Sequence, residues 1–267
     1  MASRSLSGTV DLAAYPIDRL DRPEGRSALA EWRRSIAENG VLVLPRFLVP
    51  AAVRSILAEA EAMAPDAYYC AQSHNPYLAA NDDSLPAHHP RNIVNVSDVG
   101  CLADDRIPAS SRLRQVYNAS EVRGAIAAIL GFDALYPYED PLGSLNINLQ
   151  NTGQQLNWHY DNADFVTTIL LQDSDAGGAF EYCPNLRRPE DENYDAVGCV
   201  LRGDRAAVKT LEILPGSLVL FRGRYSLHRV TPVEGPTPRI IAILSYDRKP
   251  GVVLTEFTRK LFYGRVA

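Results

Sequence analysis

Asn157-Trp158-His159-Tyr160-Asp161 is the stretch of this sequence whose residue types and spacing could do chemistry. It lies between a polar turn and an apolar run, which is typical of a short β-strand. Because side chains alternate between the two faces of a strand, His159 and Asp161 are predicted on one face and Trp158 and Tyr160 on the other. An imidazole and a carboxylate held side by side would supply two of the three protein ligands of a metal site.

The third ligand is predicted to be His228, which follows the apolar run 216–221 and begins a second strand-like segment. Two histidines and one carboxylate, with open positions opposite them, suit non-haem Fe(II) oxygenases. A surface histidine next to Arg229 is the structural alternative for His228. An exposed strand can also carry a His-x-Asp sequence by chance, so the pair alone does not establish a metal site.

Arg239 stands eleven residues after His228, at the head of the apolar segment 239–246. An arginine that enters a buried strand needs a counter-charge, because an unpaired buried charge is costly. Its planar fork of donors fits a carboxylate well. The alternative is an arginine that only ends a strand at the surface.

The period of the apolar residues separates helices from strands along the chain. Helices are predicted over 25–39, 50–63 and 119–131, the last capped by Asn118 or Ser120, with a buried strand at 41–44. The segment 64–118 lacks clear periodicity and is interpreted as a functional lid. Residues 184–209 are predicted to be an insertion with a short helix. Strands are predicted near 144–151, 157–161, 165–172, 178–183, 210–214, 217–222, 227–233 and 238–247.

Eight short strands after a helical portion predict a mainly β fold with α-helices, a jelly roll flanked by N-terminal helices. We expect one domain over 1–267, with helical support and the lid in 1–140, the jelly-roll core in 141–250 and a C-terminal segment in 251–267.

Composition excludes several classes of protein. The net charge is -5 and the pI about 5.6, and no basic cluster indicates nucleic-acid binding. The four cysteines are scattered without a Cys-x-x-Cys pair, as in proteins of a reducing cytosol. No apolar stretch reaches membrane-spanning length, and residues 1–5 are not followed by the apolar core of a signal peptide. We therefore expect a cytoplasmic protein; nothing in the sequence predicts its oligomeric state.

His159, Asp161, His228 and Arg239 together resemble the motif of the Fe(II)/2-oxoglutarate-dependent dioxygenases. The resemblance extends over roughly residues 140–250 and is greatest to the branch of the free amino-acid halogenases and their hydroxylating relatives. It is carried by the segments 145–150, 158–161, 177–182, 192–195 and 222–233.

This resemblance implies a jelly-roll enzyme in which His159, Asp161 and His228 hold iron and Arg239 pairs with the distal carboxylate of 2-oxoglutarate. O2 is then the oxidant, succinate is released, and a substrate C–H bond is hydroxylated. The related halogenases have Gly or Ala at the position of Asp161, which frees a site for chloride, so hydroxylation is the expected outcome here. Many dioxygenases have Ser where this chain has Ile241, and another hydroxyl, from Thr168, Ser245 or a tyrosine, would have to assist.

On the substrate side, one face of the strand 144–151 is polar without being charged. We interpret Asn148 and Gln150 on that face as lining the barrel mouth and binding cosubstrate or substrate; a solvated surface is the alternative. Arg91 could clamp a substrate carboxylate, although a solvated loop arginine is the more common situation. Further candidates that flank the proposed mouth are Tyr136, Tyr138, Glu139, Asp140, Asn162 and Tyr225, of which Glu139 or Asp140 would suit the amino group of an amino acid.

The substrate is expected to be a free amino acid or a related natural-product intermediate. Desaturation, epimerisation and cyclisation use the same oxidant and differ only in the fate of the substrate radical. A non-catalytic jelly-roll protein that binds a small molecule is the alternative from another class. It is disfavoured by the absence of the His-x-His and Glu metal pattern of cupins and by the complete His-Asp-His-Arg set.

Overall fold

Two facing antiparallel sheets form the core of the molecule, and helices cover the outer face of the larger sheet. The computed structural model describes residues 6–266. The expectation that no signal peptide is present rested partly on residues 1–5, which lie outside the described residues. The predicted jelly roll is confirmed. Among residues 6–266, no helix is both long and apolar enough to span a membrane.

The helices begin and end where local chemistry requires it. α1 (Pro23–Asn39) has Pro23 in its first turn, where the missing N–H costs nothing, and Gly40 ends it in the left-handed conformation at φ 69°. The remaining helices are α2 (Pro50–Met63), α3 (Arg112–Asn118), α4 (Ser120–Leu130), α5 (Tyr194–Leu201) and α6 (Glu256–Tyr263). The predicted side-chain cap of α4 is wrong: its N-cap is Ala119, because Asn118 is taken up by α3.

The larger sheet has the strand order β1-β11-β7-β14-β5-β3-β2. Its strands are β1 (Val41–Leu44), β2 (Tyr68–His74), β3 (Asn95–Leu102), β5 (Leu145–Gln150), β7 (Val166–Gln172), β11 (Leu218–Phe221) and β14 (Arg239–Leu244). Alternation along β5 sends Leu145, Ile147 and Leu149 into the core beneath the helices. The intervening residues therefore face the interior between the two sheets.

The smaller sheet carries the metal-ligand candidates. It consists of β6 (Leu156–His159), β9 (Phe180–Cys183), β10 (Lys209–Leu211) and β12 (Leu227–Val230), in the order β10-β9-β12-β6. His159 of β6 lies directly opposite His228 of β12 in the ladder. Short pairs complete the fold: β4 (Tyr136–Pro137) with β15 (Tyr246–Asp247), and β8 (Ala176–Gly177) with β13 (Val233–Glu234).

The segment 64–118 differs from its prediction as an irregular lid. It contributes the strands β2 and β3, which pair along their whole length from Tyr68↔Cys101 to His74↔Asn95 and extend the larger sheet beyond β5. The irregular parts are the connection between these strands, residues 75–94, and residues 107–111, which precede α3. The alternation of β2 was hidden because polar and apolar residues occur on both of its faces.

A buried ion pair anchors the C-terminal segment, for which no element was predicted. Asp140 accepts hydrogen bonds from the N–H groups of Leu142 and Gly143, while its second oxygen accepts from Leu254 N–H and from Arg259 of α6 at 2.7 Å. The Asp140 side chain is fully buried. It therefore ties α6 to the turn before β5 and is not free to contact a substrate amino group, as the sequence had suggested.

We expect Arg259→Met to destabilise the protein by about 3–5 kcal/mol, because it leaves the Asp140 carboxylate buried without its cation. Burial pushes the pKa of Asp140 up, but the hydrogen bonds from Gly143, Leu142, Leu254 and Arg259 lower it below its ordinary value. Such a group stabilises the fold above its unfolded pKa near 4, and this contribution disappears as the pH falls through the folded value. Urea unfolding at pH 7 and at a series of pH values below 4 measures both effects. An unchanged unfolding midpoint at pH 7 would contradict this role of the pair.

Candidate metal centre

Three side chains from two parts of the chain converge between the sheets. One ligand atom each of His159, Asp161 and His228 lies within 4.8 Å of the others. The Asp161 Oδ1 atom is 3.8 Å from His159 Nε2 and 3.6 Å from His228 Nε2, and the two imidazole centroids are 4.2 Å apart. Three ligand atoms at this spacing can share one ion and leave its opposite side open.

Local structure explains the convergence. His159 ends β6, and Asp161 stands two residues later, where its N–H donates to the carbonyl oxygen of Gly223 at 3.2 Å. The intervening Tyr160 points to the opposite face and is buried with Trp158 and Leu227. Alternation therefore sends the two ligand candidates inward and the aromatic residues outward.

Hydrogen bonds fix the tautomer of both histidines. His159 Nδ1 lies 2.7 Å from the carbonyl oxygen of Asn157, and His228 Nδ1 lies 2.9 Å from that of Ser226. A carbonyl oxygen can only accept, so each Nδ1 carries the proton and each Nε2 presents a lone pair towards Asp161. This is the arrangement in which histidine binds a metal through Nε2.

The electrostatics also favour a cation at this place. Burial and the neighbouring His228 together lower the pKa of His159 to about 4, although Asp161 acts in the opposite direction. Burial raises the pKa of Asp161, but the electrostatic interactions with His228 and His159 outweigh this and lower it. At neutral pH His159 is thus a neutral donor and Asp161 an anion, as metal ligands must be.

Gly223 gives the Asp161 carboxylate its space, a role that the sequence did not indicate. A Cβ atom on Gly223 would lie 1.7 Å from Asp161 Oδ2 and 2.5 Å from its Cγ. These distances are far below any van der Waals contact. No side chain larger than hydrogen is therefore compatible with this carboxylate position.

We expect Gly223→Ala to weaken divalent-metal binding by at least about tenfold, since the carboxylate must rotate away from the histidines. Calorimetric titration with Co(II) under argon measures the effect. Gly124→Ala is the matched control, because Gly124 lies in α4 with no atom within 4 Å of an added Cβ. The control should bind metal normally and be slightly more stable. Unchanged metal affinity in Gly223→Ala would exclude Asp161 from the metal site.

Arg239 lies deep between the sheets, at the start of β14. It is 3 % exposed, and its Nη1 donates to Gln150 Oε1 at 3.1 Å, directly across the ladder. Burial lowers its pKa to about 10, and the nearby Asp173 only partly compensates. Among residues 6–266, no carboxylate forms an ion pair with it at salt-bridge distance. A buried guanidinium with a neutral partner is well suited to receive an anion.

A cavity of about 300 Å³ opens onto Arg239. Phe180 lines this cavity and also stacks near His228, with ring centroids 5.6 Å apart, so the cavity and the metal-ligand cluster lie on either side of this ring. On the same inner face, Asn148 Oδ1 and Gln150 Nε2 are buried without a hydrogen-bond partner among the described residues. Unsatisfied buried polar atoms are costly, which indicates that a polar molecule occupies this interior.

The two hydroxyls that were predicted to assist Arg239, those of Thr168 and Ser245, lie in different parts of the structure. Thr168 lies on the inner face, opposite Ile243 of β14, and is only partly buried. Ser245 lies six residues beyond Arg239, about 20 Å further along an extended strand, and donates to the carbonyl oxygen of Gly143. Ser245 therefore does not lie beside Arg239, because the strand carries it to the opposite end of the barrel.

Two of the predicted substrate residues, Arg91 and Glu139, lie away from the metal-ligand cluster, and two others lie in the loops beside it. Arg91 lies over the ring of Tyr77, 5.9 Å from its centroid, on the outward side of β6. Glu139 is exposed and accepts from Gly251 N–H. Asn162 and Tyr225 lie in the loops that flank Asp161 and Gly223, where their main-chain groups bond to Arg224 and Arg187.

The donor set is consistent with Fe(II). Two imidazole nitrogens and one carboxylate on one side of an ion, with the opposite side unfilled by protein, are the ligands and geometry of the mononuclear iron oxygenases. A structural zinc site would instead be closed by four protein ligands. Among the described residues, no other cluster of His, Cys, Asp and Glu could hold a metal ion.

Comparison with known proteins gives a match over most of the chain. The family described as HalD, Halogenase D, matches residues 25–258. No curated protein matches the sequence. Among solved structures, a 2OG-Fe(II) oxygenase family oxidoreductase from Burkholderia pseudomallei has a TM-score of 0.53 at 14% identity, covering 84% of this chain and 92% of that one.

Two further structures are similar in fold. The non-haem α-ketoglutarate-dependent epimerase SnoN from nogalamycin biosynthesis has a TM-score of 0.57 at 14% identity, with 83% of each chain covered. A prolyl-4-hydroxylase from Pseudomonas putida has a TM-score of 0.52 at 15% identity, covering 83% of this chain and 99% of that one. At these identities the likeness establishes a shared fold.

Proposed function

The chain belongs to the halogenase D family, and from this premise we propose that it is an Fe(II)- and 2-oxoglutarate-dependent oxygenase that hydroxylates an unactivated C–H bond of a small molecule. The substrate class that we propose is a free amino acid or a related natural-product intermediate. The observation that carries the proposal is the convergence of His159, Asp161 and His228 within 4.8 Å. Family membership also disfavours the non-catalytic binding protein that the sequence alone left open.

The carboxylate of Asp161 supports hydroxylation over halogenation. Its Oδ1 lies between the Nε2 atoms of His159 and His228, and it occupies the position that is Gly or Ala in the halogenases this chain resembles. A halide bound there would compete with a buried anion for the same space. The chain therefore lacks room for chloride at the metal as long as Asp161 is present.

The roles of the protein groups follow from their positions. His159, Asp161 and His228 would hold the iron, which with 2-oxoglutarate and O2 supplies an oxidant strong enough to break a C–H bond, while the keto acid is converted to succinate and CO2. Arg239 would bind the distal carboxylate of the keto acid, with Gln150 fixing the orientation of the guanidinium.

A different fate of the substrate radical is the second candidate. Desaturation, epimerisation and cyclisation need the same metal and cosubstrate sites and differ only in how the substrate is placed. SnoN, which shares the fold, is an epimerase. Asp161 is compatible with each of these outcomes, so the distinction between them has to come from product analysis.

Anaerobic optical titration tests the metal and cosubstrate sites. Fe(II) followed by 2-oxoglutarate should produce a visible charge-transfer absorption in the wild-type protein, because the keto acid chelates the metal. Asp164→Ala, which alters an exposed carboxylate paired with Arg224, is the control and should give the same absorption. No absorption in the wild-type protein would contradict the proposal.

A screen for succinate release identifies the substrate. Free amino acids and their derivatives are offered with Fe(II), 2-oxoglutarate and O2, and products are examined by mass spectrometry. Hydroxylation adds one oxygen atom, desaturation removes two hydrogens and epimerisation leaves the mass unchanged. Stimulated succinate release without any added oxygen would replace hydroxylation by one of the other outcomes.

A further inference from the structure

The residue whose carbonyl orients His159 is itself held by the larger sheet. Asn157 accepts the Nδ1–H of His159 through its carbonyl oxygen at 2.7 Å. The N–H of the same residue donates to the hydroxyl of Ser97 in β3 at 2.8 Å. A side chain of the larger sheet thus determines where this segment of β6, and with it the His159 ring, can lie.

His74 in turn fixes the Ser97 hydroxyl. His74 Nδ1 lies 3.0 Å from the carbonyl oxygen of Asn75, and its Nε2 lies 2.7 Å from Ser97 Oγ. Because a carbonyl oxygen only accepts, Nδ1 carries the proton and Nε2 is the acceptor. The Ser97 hydroxyl must therefore donate to His74, which leaves its oxygen lone pairs for the Asn157 N–H.

This arrangement also explains why His74 is not a fourth metal ligand. Its ring lies edge-on to that of His159, with centroids 6.0 Å apart, close enough to belong to the same site. Both of its nitrogens, however, are already engaged with Asn75 and Ser97. No lone pair of His74 remains for a metal ion, and its place in the site is structural.

We propose that Ser97 and His74 are positioning residues for the metal centre: through Asn157 they set the orientation of the His159 imidazole and thereby the affinity and coordination geometry of the bound metal. The inference rests on the metal site proposed above and adds residues of β2 and β3 to it. Groups that are hydrogen-bonded to a metal ligand, as the Asn157 carbonyl is to His159, typically change metal affinity by about 10–100-fold when they are removed. Ser97 acts one hydrogen bond further out, so we expect the lower end of this range.

Co(II) is the probe of choice, because its visible absorption reports coordination geometry without turnover. Ser97→Ala should weaken Co(II) binding about tenfold and alter the intensity of the visible bands. Ser97→Thr keeps the hydroxyl on a residue well suited to a strand, and should restore both the affinity and the spectrum. Thermal unfolding of each metal-free variant shows how much of any effect reflects stability alone.

Asp98→Ala is the matched control. Asp98 neighbours Ser97 in β3 and accepts a hydrogen bond from the main-chain N–H of Gln155, just before β6, at 2.9 Å. This bond also links β3 to the chain at β6, but the His159 ring is hydrogen-bonded to Asn157 rather than to Gln155. The control should lower the unfolding temperature as Ser97→Ala does and leave Co(II) affinity unchanged. Equal weakening of Co(II) binding in both variants would overturn the proposal, since strand docking alone would then explain it.

His74→Phe provides the second test. It keeps an aromatic ring of similar size and removes the acceptor for the Ser97 hydroxyl, so it should weaken Co(II) binding less than Ser97→Ala. A larger loss than that of Ser97→Ala would mean that His74 binds the metal itself and would overturn the positioning role. Failure of the wild-type protein to bind Co(II) would instead refute the metal site on which the inference rests.

Discussion

Replacing Asp161 with glycine is expected to abolish hydroxylation and to weaken Fe(II) binding by more than the 10–100-fold that is typical for groups one step removed from a metal. The carboxylate is the single anionic ligand, and its oxygen lies within 4 Å of both histidine nitrogens. Two neutral imidazoles in a buried site compensate the charge of a divalent cation poorly. Succinate release and Fe(II) titration of the variant measure the two effects separately.

Replacing Asp161 with glycine also leaves an empty space beside the two histidines. Gly223 has no side chain that could fill the place of the Asp161 carboxylate, so a cavity remains on the metal side of the loop. Chloride or bromide should bind there in the presence of Fe(II) and 2-oxoglutarate and shift the charge-transfer absorption. Asp164→Gly, a change at an exposed carboxylate three residues away, should show neither effect. Full hydroxylation by Asp161→Gly would remove Asp161 from the set of ligands.

Arg239→Met is expected to raise the 2-oxoglutarate requirement about 30-fold or more, with little change in the requirement for substrate. Losing one partner of a buried, hydrogen-bonded charge pair typically costs about 2–5 kcal/mol of binding free energy, and each 1.4 kcal/mol is tenfold. Without a keto acid, the same substitution removes a buried cation whose partner Gln150 is neutral. The metal-free, cosubstrate-free variant should therefore be as stable as the wild-type protein or more stable.

This combination separates Arg239 from an arginine with a structural role. Arg259 is also largely buried but forms an ion pair with the fully buried Asp140, and Arg259→Met should destabilise the fold without a specific effect on 2-oxoglutarate. The 2-oxoglutarate concentration at half-saturation should rise only in Arg239→Met, and the unfolding temperature should fall only in Arg259→Met. If Arg239→Met raised the substrate requirement instead, Arg239 would belong to the substrate side of the site.

The sequence predicted α1, α2, α4 and most of the strands because their apolar residues follow regular periods, whereas α3 was missed within the segment interpreted as a lid. The strands β5 and β14 alternate between a face buried under the helices and an inner face, and the ends of both were placed within three residues. β2 and β3 were missed, since Tyr68 and Tyr69 are both exposed and adjacent, which conceals the period of two. α6 was missed because only Tyr263 in it is buried.

The metal-ligand candidates were predicted from residue type and spacing. His159 and Asp161 share one face of a strand, and His228 lies in a second strand-like segment. Gly223, Ser97 and His74 were missed because their importance depends on distances across strands that lie far apart in the sequence. Arg91 was assigned to the site from its position in a polar loop, yet it packs on Tyr77 away from the ligands. Loop residues carry no periodicity that would indicate the direction of their side chains.

The direct opposition of His159 and His228 across the β6–β12 ladder limits how this protein can vary in length. One residue added between Phe221 and Leu227 would turn the imidazole at position 228 to the outward side and separate it from its counterpart. The same addition at the exposed turn near Gly203 would leave both rings where they are. Among relatives that retain the activity, length differences should therefore accumulate in the turn after α5 and be absent from the short connection before β12.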